Sequence, residues 1–200
     1  MSFLNKLFKK NKQHPEEEMK MEKLNIGIIL GSTREGRVSP QVGQWVKEIA
    51  DARGDANYEI IDIADFQLPF LGTTDGTEPG IAAWGDKLDS MDGFVFIVQE
   101  YNHSISGALK NAIDFARDQW ANKAAGIVSY GSTGGARAAE HLRGILGELQ
   151  VADVRTHPTL SLFTDFVNGN EFKPQDLHQA NMKMMLDQVL AWSGALKTLR

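Results

Sequence analysis

Three short segments of this chain combine glycine, hydroxyl, cationic and aromatic residues in patterns that could do chemistry. The first is Gly31-Ser32-Thr33-Arg34-Glu35-Gly36-Arg37-Val38-Ser39, which runs into an amphipathic stretch. Backbone N–H groups at a helix start, the positive end of the helix dipole and a charge-assisted contact from Arg34 or Arg37 could together surround a phosphate. The segment lacks Gly-x-Gly-x-x-Gly, which argues against a dinucleotide Rossmann site, and lacks Gly-Lys-Ser/Thr, which argues against a P-loop NTPase. The plainer alternative is a turn into a helix, with Ser39 as N-cap and Pro40 at the first helical position. We expect Ser39 to cap and Ser32, Thr33, Arg34, Arg37 and Ser39 to hold a phosphate.

The second segment, Gln99-Glu100-Tyr101-Asn102-His103-Ser104, is polar and carries an aromatic ring, so it could present an edge and a face to a planar heterocycle. Ser104 is expected to cap the helix that follows, whose Leu109, Ile113 and Ala116 form a core stripe. The third, Tyr130-Gly131-Ser132-Thr133-Gly134-Gly135-Ala136-Arg137, is rich in backbone donors and opens another helix, with Ser132 or Thr133 as expected N-cap. Its alternative reading is a flexible turn, and Arg137 is expected to face solvent or a partner subunit. His14, His141, His157 and His178 show no metal-ligand spacing and read as surface or packing residues, so no metal is expected. His103 differs because it sits within the second segment, where it is a candidate substrate contact. Asp62, Asp65, Asp86, Asp89 and Asp92 form no evident dyad, and Trp45, Trp84, Trp120 and Trp192 read as core or subunit-interface residues.

The elements around these segments give them a common location. Short apolar runs at 24–30, 58–63, 93–98, 124–129 and 151–156 read as strands, and helical patterns cover 39–53, 80–90, 104–118, 133–149 and 174–196. Strands that are apolar throughout and separated by helices imply a parallel sheet covered on both faces. Five units in about 175 residues suit a doubly wound sheet, whereas a TIM barrel needs about 250. In such a sheet ligands bind beyond the C-terminal strand ends, at the switch in strand order. The three segments follow the first, third and fourth strands, which is where that rule places a site.

Composition narrows the function. The 200 residues fit one domain, 42% of them apolar and 24% charged, as in ordinary globular proteins. There is no cysteine, which excludes disulfides, thiolate metal sites, iron–sulfur clusters and cysteine nucleophiles. The net charge of −5 argues against a nucleic-acid partner. No apolar run reaches the ~20 residues of a membrane helix, and no signal-peptide pattern opens the chain, so a cytoplasmic protein is expected. Residues 1–23 carry +2 and are expected to be a flexible tail, with 24–200 as the folded domain. Phe3, Leu4, Leu7 and Phe8 beside Lys6, Lys9 and Lys10 could instead form a short amphipathic anchor.

The stretch from Glu100 through Asp114 (Glu-Tyr-Asn-His-Ser-Ile-Ser-Gly-Ala-Leu-Lys-Asn-Ala-Ile-Asp) resembles a signature of the NAD(P)H-dependent FMN reductase family, which includes azoreductase- and chromate-reductase-like members. The first segment's Gly-Ser-x-Arg-x-x-x-x-Ser strengthens the likeness, which runs from about Leu24 to Asp165. Two positions depart from the family pattern: Gln99 and Ser106 stand where prolines are usual. The resemblance implies a flavodoxin-like fold with a five-stranded parallel sheet and an FMN cofactor. It implies NADPH or NADH as co-substrate and a homodimer or homotetramer with the flavin near the subunit boundary. The acceptor would be a small molecule: free flavin, quinone, azo compound or metal oxyanion.

On this likeness the first segment would take the flavin phosphate, and Glu100, Tyr101, Asn102, His103 and Ser104 would line the ring. Gly131, Ser132, Thr133 and Gly134 would approach the ring as well. No catalytic acid–base residue is expected, because the cofactor carries the hydride chemistry. Apolar residues near Trp84, Trp120 and Phe163 could form an interface, and 160–173 could cover the site or contact a partner. Two rivals share the fold: a flavodoxin-type electron carrier without a nicotinamide site, and a module that has lost FMN.

Overall fold

A computed structural model describes residues 22–200. Readings that fall on residues 1–21, the tail and its amphipathic alternative, lie outside the described residues. Five parallel strand positions run in the order β2-β1-β3-β4-β5, the flavodoxin-like arrangement expected. Their ranges are β1 Asn25–Leu30, β2 Asn57–Asp62, β3 Gly93–Gln99, β4 Lys123–Gly131 and β5 Val151–Asp153. The helices are α1 Ser39–Asp51, α2 Pro79–Asp89, α3 Gly107–Asp114, α4 Ala136–Glu148 and α5 His178–Lys197.

The period-two geometry of a strand sends alternate side chains to opposite faces. Ile29, Phe94, Phe96, Val98, Ala125 and Ile127 therefore meet α2, α3 and α4 on one face. Ile26, Ile28, Leu30, Val95, Ile97 and Val128 meet α1 and α5 on the other. Because both faces are covered, β1, β3 and β4 are apolar nearly throughout, and only their ends are open to a ligand. None of the described helices is long and apolar enough to cross a membrane.

Trp84 and Trp120 are wholly buried, so they are core residues and no part of an interface. Their indole N–H groups donate to the carbonyls of Ala112 (2.8 Å) and Ile113 (3.1 Å). The rings pack edge-on against each other and, for Trp120, against Phe94. Phe163, by contrast, is 79% exposed.

The fifth strand position also differs from expectation. It breaks after Asp153 and resumes as β6 (Thr159–Ser161), also parallel to β4. Pro158 lies in the gap, where it has no N–H for a ladder, while its carbonyl accepts from Ser129 N at 3.1 Å. The stretch expected as a covering loop then forms a small antiparallel pair, β7 (Phe166–Val167) and β8 (Glu171–Phe172). Gln41 of α1 fastens it, donating to the carbonyl of Asn170 and accepting from Phe172 N.

Truncating a buried tryptophan loses transfer energy and leaves a cavity. Trp120→Ala should cost about 3–5 kcal/mol of stability, read as a fall in the urea midpoint with little change in m-value. An unchanged midpoint would mean that the ring is not packed as described.

Candidate functional site at the strand ends

β1, β3 and β4 end side by side, with Leu30 opposite Ile97 and Gln99 opposite Tyr130. The three segments leave the sheet at this edge. Between the first and second lies a cavity of about 230 Å³ lined by Ser32, Thr33, Arg34, Gln99, Tyr101, Ser106, Gly107 and Ala108. A second hollow of about 530 Å³ shares Thr33, Gly107 and Ala108 with it. That hollow continues across α3 to Ile63, Gln67, Leu68, Phe70 and Asn111. The two form one trough along the C-terminal edge of the sheet.

In the first loop, Ser32, Thr33 and Arg34 line the trough, and Arg37 does not. Its guanidinium donates to the Ser32 carbonyl (2.7 Å) and pairs with Asp62 at 2.5 Å, bracing the loop from behind. Ser39 is the first residue of α1, and Val38 occupies the N-cap without a side-chain cap bond, so the expected cap is corrected. The Ser39 hydroxyl is buried beside the Tyr130 hydroxyl and lines neither hollow. Gly31 ends β1 where no side chain fits: a Cβ there would lie 2.8 Å from the Ile97 carbonyl oxygen.

The second loop closes on itself. Tyr101 and Ser104 exchange backbone hydrogen bonds of 2.9 and 3.2 Å around Asn102 (φ 48°) and His103 (φ 73°). Positive φ at both central residues is the pattern of a type I′ hairpin turn, in which glycine is usual at the second. Histidine there costs about 1 kcal/mol or more, a strain of the kind that gathers at functional turns. Ser104 is thus occupied in the turn, and its hydroxyl bonds to His141 Nδ1 at 2.9 Å. The cap of α3 is Ser106 instead, whose Oγ accepts from Leu109 N. For this reason α3 begins later than the helical pattern. Tyr101 lines the trough, while Asn102 and His103 stand exposed at the tip. His103 faces His141 across 6.0 Å rather than the trough.

Glu100 turns away from the trough. Its carboxylate is almost wholly buried, forms an ion pair with Arg137 and accepts from Arg137 N at 3.3 Å. Burial alone would push this carboxyl up, but hydrogen bonds and charge from Arg137 outweigh it and hold the group below its ordinary value. Glu100 therefore serves as an acidic partner for the α4 N-terminus, binding the second loop to the third. Arg137, expected to face solvent or a partner, is the cationic half of that link.

In the third loop, Gly135 (φ 74°) caps α4 in place of Ser132 or Thr133, and a Cβ there would lie 2.7 Å from Tyr130 N. Ser132 and Thr133 are exposed, and Gly131 and Gly134 are buried beside them. Ser129 Oγ lies 2.6 Å from the Gly134 carbonyl and 2.7 Å from His157 Nε2. A carbonyl can only accept, so the serine proton goes to Gly134 and His157 must donate from a protonated Nε2. Among the described residues no cluster of His, Asp and Glu could hold a metal.

Residues 24–165 match the profile of the NADPH-dependent FMN reductases. An NAD(P)H-dependent FMN reductase of Schizosaccharomyces pombe is 35% identical over 159 residues, spanning 76% of this chain and 79% of the relative. The chain belongs to this family. A quinone reductase of Escherichia coli K12 is 35% identical over 190 residues, 90% of this chain and 98% of the relative. The flavoenzyme NAD(P)H:acceptor oxidoreductase FerB of Paracoccus denitrificans shares the fold, with TM-score 0.68 at 19% identity, covering 86% of this chain and 98% of that one. The family is one of NAD(P)H-dependent FMN oxidoreductases, as the resemblance implied.

Several residues of the trough escaped the sequence reading. Asn111, inside the signature, accepts from Leu71 N (2.9 Å) and donates to the Pro69 carbonyl (2.8 Å), which holds the wall around Phe70. The wall itself, Ile63 to Phe70, has no motif, and only its position after β2 could have nominated it.

Burial, aided by the charge of Arg143, lowers His157 from 6.5 to about 4. The unfolded chain therefore binds a proton between these values that the folded chain does not. Stability from this site is present above pH about 6.5 and is lost as pH falls through that window toward 4. The loss should be on the order of 3 kcal/mol. Urea unfolding at pH 7 and pH 4.5 should show that loss in wild type and a smaller one in His157→Gln, which keeps a donor to Ser129 but cannot titrate. Equal acid losses in both proteins would remove His157 as the cause.

Proposed function

We propose that FMN lies along this trough, with its phosphate on the first loop and its isoalloxazine against the second and third, and that the chain reduces quinones at the expense of NAD(P)H. The observation that carries the phosphate assignment is the smaller cavity lined by Ser32, Thr33 and Arg34, in the loop that runs directly into the N-terminus of α1. An anion over that helix end would meet backbone N–H groups and the positive end of the helix dipole. Ser32 and Thr33 add hydroxyls, and the exposed Arg34 adds a charge at the rim. Arg37 keeps its bonds to Ser32 and Asp62 and acts on the phosphate only by shaping the loop.

When bound, FMN would supply the two-electron hydride chemistry between NAD(P)H and the acceptor. The chain binds and orients. Tyr101 flanks the ring space, and the I′ turn fixes the height of Asn102 and His103. Glu100, tied to Arg137, contributes backbone rather than carboxylate. The exposed Ser132 and Thr133 would offer backbone N–H groups to the ring edge, where reduction would place negative charge. The wall of Ile63, Leu68 and Phe70, with Gln67 and Asn111 as polar partners, suits a flat acceptor bearing carbonyls. The relatives named as quinone reductases support that choice.

The same reading includes a homodimer. Phe70, Leu71 and Tyr101 are 72%, 49% and 64% exposed around the trough, and a second copy would cover them. Sedimentation of the yellow protein at micromolar concentration should give twice the chain mass, and a monomer would refute this element. The reading also places the enzyme in the cytoplasm, which cell fractionation checks.

Arg34→Ala and Ser39→Ala should each weaken FMN binding by about tenfold to a hundredfold while leaving the urea midpoint nearly unchanged. Titration of apo-protein followed by flavin fluorescence measures it, and unchanged affinity in both variants would put the phosphate elsewhere. Purified holoprotein should oxidise NAD(P)H steadily when benzoquinone is added. A single stoichiometric reduction without turnover would instead identify a flavodoxin-type carrier.

A further inference from the structure

We propose that Gln99 and Ser106 act as a pair of positioning residues that lock the phosphate half of the flavin site to the ring half through one shared acceptor, the carbonyl of Gly31. The inference rests on the FMN placement above. Gln99 Nε2 donates to the Gly31 carbonyl at 2.6 Å, and Ser106 Oγ donates to the same oxygen at 2.8 Å. A carbonyl oxygen has two lone pairs, so both bonds form at once. Three elements meet at this atom: the end of β1, which opens the first loop; the end of β3, which opens the second; and the cap of α3, which closes it.

The geometry around the junction is tight. Gly31 N donates to the Ile97 carbonyl at 3.0 Å, so both sides of this peptide are engaged. A Cβ on Gly31 would lie 2.9 Å from Leu109 and 3.4 Å from Gln99 Oε1. The Ser106 hydroxyl also accepts from Leu109 N, so one group caps α3 and ties it to β1. Gln99 Oε1 is buried without a partner, a cost that the amide bears to keep its N–H on Gly31. Both side chains line the cavity between the two loops.

These are the two positions at which the sequence departs from proline in the family signature. Proline side chains can donate to nothing, so the departures act together: two rigid rings are replaced by two donors that converge on one oxygen. What proline would fix through φ, this chain fixes through a contact between loops. Such a link matters for a ligand that spans both halves, because the second contact becomes intramolecular only if the halves are held at the right separation.

The experiment compares FMN, which spans both halves, with lumiflavin, which has the ring and no ribityl phosphate. The protein is Gln99→Met/Ser106→Ala, which removes both donors and keeps the volume at 99. FMN affinity should fall about tenfold to a hundredfold while lumiflavin affinity stays within about twofold of wild type. Retained lumiflavin binding also shows that the ring half is folded. Ser106→Pro is the second variant, since residue 106 already has φ −68°, which proline accepts. It should show a smaller loss with the same selectivity for FMN. An equal loss for both ligands, or none for FMN, would overturn the link. If Arg34→Ala in parallel weakens FMN and the double variant does not, the link alone has failed. If neither change affects FMN, the FMN placement has failed and the link with it.

Discussion

In a parallel sheet buried on both faces, every strand must hand its last peptide groups to a loop, and bonds between neighbouring loops then fix the shape of that edge. Here β1 stops two residues short of β3, and the carbonyl of Gly31 receives donors from the third strand and from the cap of the helix after it. The trough exists because the chain leaves the sheet three times at that edge, with helices closing both sides. At Gly31 and Gly135, beside these strand ends, glycine stands where a methyl group would strike a neighbouring carbonyl or amide.

Around the trough the polar side chains divide into two kinds. Some line the trough: Ser32, Thr33, Arg34, Tyr101 and Asn111. Others hold loops in place from outside it: Arg37 on Asp62, Glu100 on Arg137, and His157 through Ser129 on Gly134. With FMN placed as proposed, the second kind would keep charge away from the ring space. An unpaired carboxylate beside a cofactor that gathers negative charge on reduction would oppose the reaction, and Glu100 is spared that position by the start of α4. Chemistry borrowed from a cofactor leaves the protein the work of placement.

Much of this was legible in the sequence. Five strands and five helices follow from apolar runs and helical spacing, and the strand order fits the rule that nominated three loops before any motif was considered. What escaped reading has physical causes. Loops rich in serine and threonine offer several caps within a few residues, and the choice among Ser104, Ser106, Ser132, Thr133 and Gly135 is made by tertiary bonds, not by propensity. Glu100 is joined to a helix 37 residues away, which no local pattern records. The break after Asp153 comes from Pro158 and from His157 turning inward. Trp84 and Trp120 could have been core or interface by type alone, and only their packing, Trp84 on Phe66 and Trp120 on Phe94, decides.

The interrupted fifth strand also bears on how the sheet ends. β5 is three residues long, its Asp153 is paired with Arg143, and the gap that follows contains a proline. At the opposite flank, β2 alternates buried residues with Asn57 and Glu59, and Glu59 is held by Lys87. Short, charged or proline-bearing margins are poor templates for an incoming strand. Neither flank therefore invites edge-to-edge stacking of one sheet on another. Both margins lie at the flanks of the sheet, away from the trough at its strand ends.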